Sequence, residues 1–97
     1  MSAKDNSPSR FSLGQIVATP GSLEAMENAH QNPAELLRRH VSGDWGDVCQ
    51  EDRETNDVAL KEGLRVMSVY KLATGATVWI ITEADRSVTT ILLPDEY

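Results

Sequence analysis

A histidine, two arginines and a set of hydroxyls are scattered between residues 40 and 90: His40, Arg65, Ser68, Tyr70, Thr82, Arg86, Thr89 and Thr90. These are the residue types from which metal-independent cleavage of RNA is built. That reaction needs a proton acceptor for the 2′-hydroxyl, a cation for the pentavalent phosphate and a donor for the leaving oxygen. His40 is the candidate acid/base, Arg86 or Arg65 the candidate cation, and Thr82 or Thr89 a positioning hydroxyl. Side chains alternate along a strand. In the register read from the sequence, Thr82 and Thr90 point one way and Thr89 the other, so they do not all serve one site. Each residue also has a plain structural reading. A histidine in the last turn of a helix complements the helix C-terminus, Arg86 beside Asp85 is an ordinary polar hairpin tip, and strand threonines follow β-propensity.

A second grouping is acidic. Between Asp44 and Asp57 stand Asp44, Asp47, Glu51, Asp52, Glu54 and Asp57 against one base, Arg53. A hard cation requires converging oxygens, and this spacing is not that of a calcium-binding loop. No metal or cofactor is expected. Carboxylates in the first turn of a helix offset its dipole, and a solvated helix face accounts for the rest. The functional alternative is a docking surface for a basic partner, or a mimic of nucleic-acid charge.

A third grouping is apolar: Trp45, Trp79 and Tyr97. Trp79 and Ile81 share one side of their strand. If helices cover only the other side, the pair forms an exposed interface patch, and homodimerisation through the sheet is its simplest use. Asp44, Trp45, Asp47, Glu51, Asp52, Trp79 and Ile81 are therefore the candidate binding surface.

The elements that must position these residues are legible from pattern. Thr77–Thr82 and Ser87–Leu93 are two β-rich runs around the polar quartet Glu83–Arg86, a hairpin. Leu64–Leu72 alternates as a strand and turns at Ala73–Ala76 into Thr77–Thr82. Leu13–Ala18 reads as a short edge strand. Thr19-Pro20 starts a helix running to about Ala29, with Leu23 and Met26 inward. Asn32 through Glu35 is a capping box for a second helix, which carries Leu36, Leu37 and Val41 inward and ends at Gly43. Asp47 is expected to cap a third, thinly apolar helix over Val48–Glu62, with Val48, Thr55, Ala59 and Leu60 inward and Gly63 closing it. Gly43–Asp47 is a tight loop with Trp45 tucked in as a plug. The order β-α-α-α-β-β-β places the chain in the α+β class, with an antiparallel sheet and the helices on one face.

Ninety-seven residues make one domain, read as a disordered arm over residues 1–10 and a single unit over 11–97. A balance of 9 basic against 15 acidic residues, net −6, works against non-specific nucleic-acid binding. The single cysteine, Cys49, excludes an internal disulfide. No apolar run is long enough to span a membrane, and residues 1–10 lack the apolar middle of a signal peptide, so a cytoplasmic protein is expected.

Three segments also carry a resemblance: Leu-Gly-Gln-Ile-Val-Ala-Thr-Pro-Gly at 13–21, Arg39-His40 followed by Gly-Asp-Trp-Gly-Asp at 43–47, and Ile81–Tyr97. Together they resemble a family of small bacterial proteins carried on plasmids, prophages and integrated elements. Members are usually labelled plasmid-related, and some carry a type I restriction-subunit label that so short a chain has no room to justify. The resemblance covers nearly everything after the arm and implies a mobile-element setting with no defined activity. A looser similarity of plan links the chain to the barnase/EndoU/colicin/RelE-like nucleases, and by that analogy His40, Arg86 and Thr89 would carry catalysis. The leading expectation is a non-enzymatic, acidic interaction module that contacts a protein partner. The rival is a small metal-independent endoribonuclease.

Overall fold

The structure is a computed structural model and describes residues 9–97. All but the last two residues of the expected arm lie outside the described residues, and the Arg10 N–H donates to the Val41 carbonyl at 2.8 Å. The elements are β1 (Gln15–Ala18), α1 (Pro20–Asn28), α2 (Pro33–Val41), α3 (Gln50–Glu62), β2 (Val66–Lys71), β3 (Thr77–Thr82), β4 (Val88–Leu92) and a closing 3-10 turn, Pro94–Glu96. This is an α+β fold with one four-stranded sheet in the order β1-β4-β3-β2.

Strands β2, β3 and β4 form the expected antiparallel meander. Strand β1 adds at the edge but runs parallel to β4, so the sheet is mixed, not antiparallel throughout. The reason lies in the connection. The three helices carry the chain from β1 to the far edge of the sheet, and two hairpin reversals bring β4 back beside β1 in its own direction.

The first two helix starts follow their sequence signals. The Thr19 hydroxyl accepts the Ser22 N–H at 3.1 Å ahead of Pro20, and Asn32 Oδ1 accepts the Ala34 N–H at 2.9 Å ahead of Pro33. These helices press Met26, Leu36 and Leu37 against Tyr70, Val78, Ile80 and Ile91, the main core. Leu23, expected inward, is 46% exposed. Its place is taken by Ser22, which is small enough for α1 to approach β4 closely and donates its hydroxyl to the Ile91 carbonyl at 3.0 Å.

Helix α3 differs from expectation at its start and in its placement. It begins at Gln50 behind Cys49, with no side-chain cap. Asp47 does not cap it, because residues 45–47 are drawn against the outer edge of β2. There the Val69 N–H donates to the Trp45 carbonyl at 3.0 Å and the Asp47 N–H donates to the Val69 carbonyl at 2.6 Å. Two residues along, the Asn56 amide takes over as a surrogate strand. Its Nδ2–H donates to the Met67 carbonyl at 2.8 Å, and its Oδ1 accepts the Met67 N–H at 3.1 Å. Asn56, not Thr55, is thus the inward residue beside Ala59, and α3 lies along the edge of the sheet while α1 and α2 cover its face. Bare strand edges invite pairing with other chains, and here the loop and one amide occupy the edge.

Gly46 makes the close approach possible. Its φ is +79°, and a Cβ there would run into the Val69 carbonyl and the Tyr70 ring. Gly46→Ala is expected to destabilise the fold by about 2–3 kcal/mol, from left-handed strain plus displacement of the edge loop. This would lower Tm by roughly 10–20 °C for a domain of this size. Asn56→Asp preserves shape and the acceptor but aims a carboxylate at the Met67 carbonyl. It should lower stability by about 2 kcal/mol at neutral pH and lose less on acidification to pH 4, measured by urea unfolding at both pH values.

Candidate functional site

The His40 ring lies in the interior, 0% exposed, where α2 meets the sheet. Its Nδ1 is 2.6 Å from Ser68 Oγ and its Nε2 is 2.9 Å from Thr82 Oγ1. Thr82 Oγ1 is in turn 2.7 Å from Thr89 Oγ1, and Thr89 donates to the Leu13 carbonyl at 2.7 Å. The order of donors follows from the last bond. A carbonyl only accepts, so Thr89 gives its one proton to Leu13 and must accept from Thr82. Thr82 then has only lone pairs to offer His40, so Nε2 carries the ring proton and Nδ1 accepts from the Ser68 hydroxyl. Every donor has one acceptor, and the imidazole is neutral.

The surroundings enforce that neutrality. Burial first, and the Arg86 charge second, lower the His40 pKa from 6.5 to about 3. Phe11 and Trp45 meet the imidazole edge to face, at centroid distances of 5.3 and 5.7 Å, and stack on each other at 6.2 Å. Trp45 is therefore the expected plug, with its Nε1–H donating to Asp57 at 3.2 Å. A side chain so enclosed presents nothing to a partner, which removes Trp45 from the candidate binding surface.

The structure brings His40, Ser68, Thr82 and Thr89 together. Thr82 and Thr89 are direct cross-strand partners on one face, whereas Thr90 pairs with Ile81 on the other. The expected opposition of Thr82 and Thr89 is thus corrected. Nearest neighbours across an antiparallel pair always share a face. Arg86 stands apart from this chain of bonds. It adopts φ +61°, donates to the carbonyls of Leu64 (2.7 Å), Glu83 (3.0 Å) and Ala59 (3.5 Å), and lies over the Phe11 ring at 5.4 Å. Its guanidinium ties the C-terminal end of α3 to the β3–β4 turn. His40 and Thr89 are sealed from solvent and fully bonded, so this trio has no cleft in which to meet a phosphate.

The remaining candidates divide into two sets. Asp44 is held inside its loop. It pairs with Arg39 at 2.8 Å and accepts the Gly46 N–H, and the Arg39 guanidinium keeps its carboxyl below the ordinary range. Asp47 belongs to the edge loop. Ile81 is 4% exposed, contrary to its expected exposure, and stands on β3 between its cross-strand neighbours Met67 and Thr90. Trp79 is half-buried and meets the Tyr97 ring at 5.5 Å, and Arg65 donates to the Tyr97 hydroxyl at 2.8 Å. Asp52 lines a groove of about 350 Å³ with Trp79, Tyr97, Met67 and Arg65. Glu51 lines a second groove of about 360 Å³ with Glu54, Val58, Leu64 and Arg65. Thr55 and Arg65 border both, so the two grooves adjoin along α3. Among the described residues, no three His, Cys, Asp or Glu side chains are grouped to hold a metal ion.

Comparison with protein-family models, with curated proteins and with solved structures finds no match.

The His40 geometry fixes the sign of a pH effect. Its folded pKa lies below its unfolded value, so the unfolded chain binds more protons between about pH 6.5 and pH 3. The stabilisation is complete well above pH 6.5 and is lost as pH falls through that window. Between pH 7.5 and 5.0 the loss should be about 2 kcal/mol. The lowered carboxyls, Asp44, Asp85 and Glu96, act in the same direction but only near and below their ordinary values of 3.8 to 4.5. Urea unfolding at pH 7.5 and 5.0 should show the difference in the native chain and little of it in His40→Gln. Nitrogen NMR should find the Nε2–H tautomer of His40 unchanged down to pH 5.

Proposed function

We propose that the protein is a non-enzymatic, acidic interaction module that acts by contact with another protein, in the mobile-element setting implied by its resemblance at residues 13–21, 39–47 and 81–97. The observation that carries this reading is a division of polar groups. The hydroxyls and the histidine fit for chemistry are consumed in the interior, while the open ground is the acidic flank of α3. On that flank Val58 and Leu64 are 53% and 52% exposed, beside Glu51 and Glu54, which form no ion pair among the described residues. Exposed apolar side chains rimmed by charge are features of contact surfaces. No helix among the described residues is long and apolar enough to cross a membrane.

The endoribonuclease alternative needs His40 to exchange protons with a substrate, and a closed, aromatic-walled ring with both nitrogens engaged does not support it. Two measurements separate the readings. Single-stranded RNA incubated with the protein, with and without divalent metal, should be recovered intact. Cleavage that His40→Gln abolishes while the fold survives would establish the rival. A photo-crosslinking amino acid replacing Val58 should give discrete protein adducts in bacterial lysate, and the same probe replacing Leu23 on α1 should not. Equal labelling from both positions would count against a contact surface on α3.

A further inference from the structure

We infer that the two adjoining grooves along α3 form one docking site for a basic, aliphatic peptide segment of a partner protein, with an apolar anchor between Val58 and Leu64 and its cations on Glu51, Asp52 and Glu54. This rests on the protein-contact reading and assigns the surface and the chemistry of its occupant.

Three observations carry it. The floor is apolar and open: Val58 and Leu64 stand half exposed over buried Ala59, in a hollow of about 360 Å³. That is room for an aliphatic side chain. The rim is acidic and underused. The carboxylates of Glu51 and Asp52 have no hydrogen-bond or ion-pair partner among the described residues, and Glu54 accepts only from Gln50 at 3.1 Å. Unpaired carboxylates on one helix flank repel each other, and a cation from outside relieves this. The two grooves meet at Thr55 and Arg65, and the Arg65 guanidinium is engaged by the Tyr97 ring and hydroxyl. Arg53, which follows Asp52 on α3, donates to the Gly46 carbonyl at 3.4 Å, and neither arginine forms an ion pair with Glu51, Asp52 or Glu54 among the described residues. A segment lying across both hollows would set one apolar residue on Val58 and Leu64 and a second against Trp79, with lysines or arginines facing the acids between. Nucleic acid is repelled by the same rim.

The test uses a short fluorescent peptide of lysine and leucine, with one control in which serine replaces each leucine and another in which glutamate replaces each lysine. Anisotropy should show saturable binding of the first. Either control should bind at least tenfold more weakly, and raising salt should weaken the first several-fold. Location is tested with two variants that lose the same number of charges. Glu51→Gln with Glu54→Gln should reduce affinity about tenfold, whereas Glu24→Gln with Glu27→Gln on α1 should leave it unchanged. Val58→Ser and Leu64→Ser should weaken binding without shifting Tm, since both side chains are half exposed. Equal loss from the α1 pair, or binding indifferent to Val58 and Leu64, would overturn the site. So would failure of the lysine–leucine peptide to bind. If the chain then self-associates in sedimentation and Val58→Ser disperses it, the occupant is a second copy, and the contact reading survives the loss of this assignment. RNA cleavage dependent on His40 would instead remove the contact reading itself.

Discussion

A neutral imidazole with both nitrogens engaged holds the two layers of this protein in one arrangement. The His40 ring joins α2 to β2 through Ser68 and to β3 through Thr82, and the bonds continue through Thr89 on β4 to the Leu13 carbonyl ahead of β1. Every strand of the sheet, or the residue leading into it, is thereby tied to one helix. A buried polar chain of this kind tolerates little error. Slipping β3 by one residue would turn Thr82 to the opposite face and leave the His40 Nε2–H without an acceptor in a dry interior. The hydrophobic core alone would accept several neighbouring arrangements, but these four polar side chains are satisfied in one. No buried side-chain nitrogen or oxygen among the described residues is without a partner, so the network is complete and its specificity carries no orphaned group.

The same need to complete hydrogen bonds governs the sheet edge and, through it, the outer surface. The backbone groups of Val69 and Met67 face outward on the edge strand β2. The loop through Gly46 satisfies one and the Asn56 amide the other. Asn56 can reach Met67 only if α3 runs beside β2 with that face turned in. Glu54 and Val58, two positions from Asn56, and Glu51, five positions away, lie off that face and are turned to solvent. Arg86 fixes the far end of the helix by donating to the Ala59 and Leu64 carbonyls. Exposure of the acidic, apolar flank is thus a consequence of how the edge is closed, and the thin inward face of α3 is sufficient because amide and guanidinium bonds hold it.

Local signals were legible where the chemistry is local. Thr19-Pro20 and Asn32-Pro33 announce their helices because capping needs only a neighbouring hydroxyl or amide oxygen. The meander follows from alternation and from the turn residues, and the enclosure of Trp45 follows from its flanking glycines. What was not legible depends on partners distant in sequence. The direction of β1 is set by the whole crossover. The start of α3 is displaced because Asp47 bonds to Val69, more than twenty residues away. Ser22 replaces Leu23 at the interface because α1 comes close to β4, which periodicity does not report. The shared face of Thr82 and Thr89 depends on the hairpin register, which alternation within each strand does not supply. Asn56 left one usable trace, since a mid-helix asparagine is unfavourable unless its amide has another task.

His40, Arg86 and Thr89 show why residue type and proximity alone do not define a catalytic site. All three lie in one region, and the histidine touches a hydroxyl on each side, as a catalytic imidazole would. The decisive difference is where the protons end. In a working acid–base pair the chain of donors opens onto a substrate, and the pKa is set near the operating pH. Here the chain ends on the Leu13 carbonyl, the ring nitrogens are closed off by Ser68 and Thr82, and burial with the nearby Arg86 charge holds the imidazole neutral far below neutral pH. Arg86, which would have to steady a phosphate, already donates to three backbone carbonyls. Exposing His40 would mean displacing Phe11 and Trp45, and displacing Trp45 would strip the edge of β2. The chemistry-bearing residues and the fold's integrity are thus the same set, whereas Val58 and Leu64 on the flank of α3 are half exposed and take no part in the His40 network.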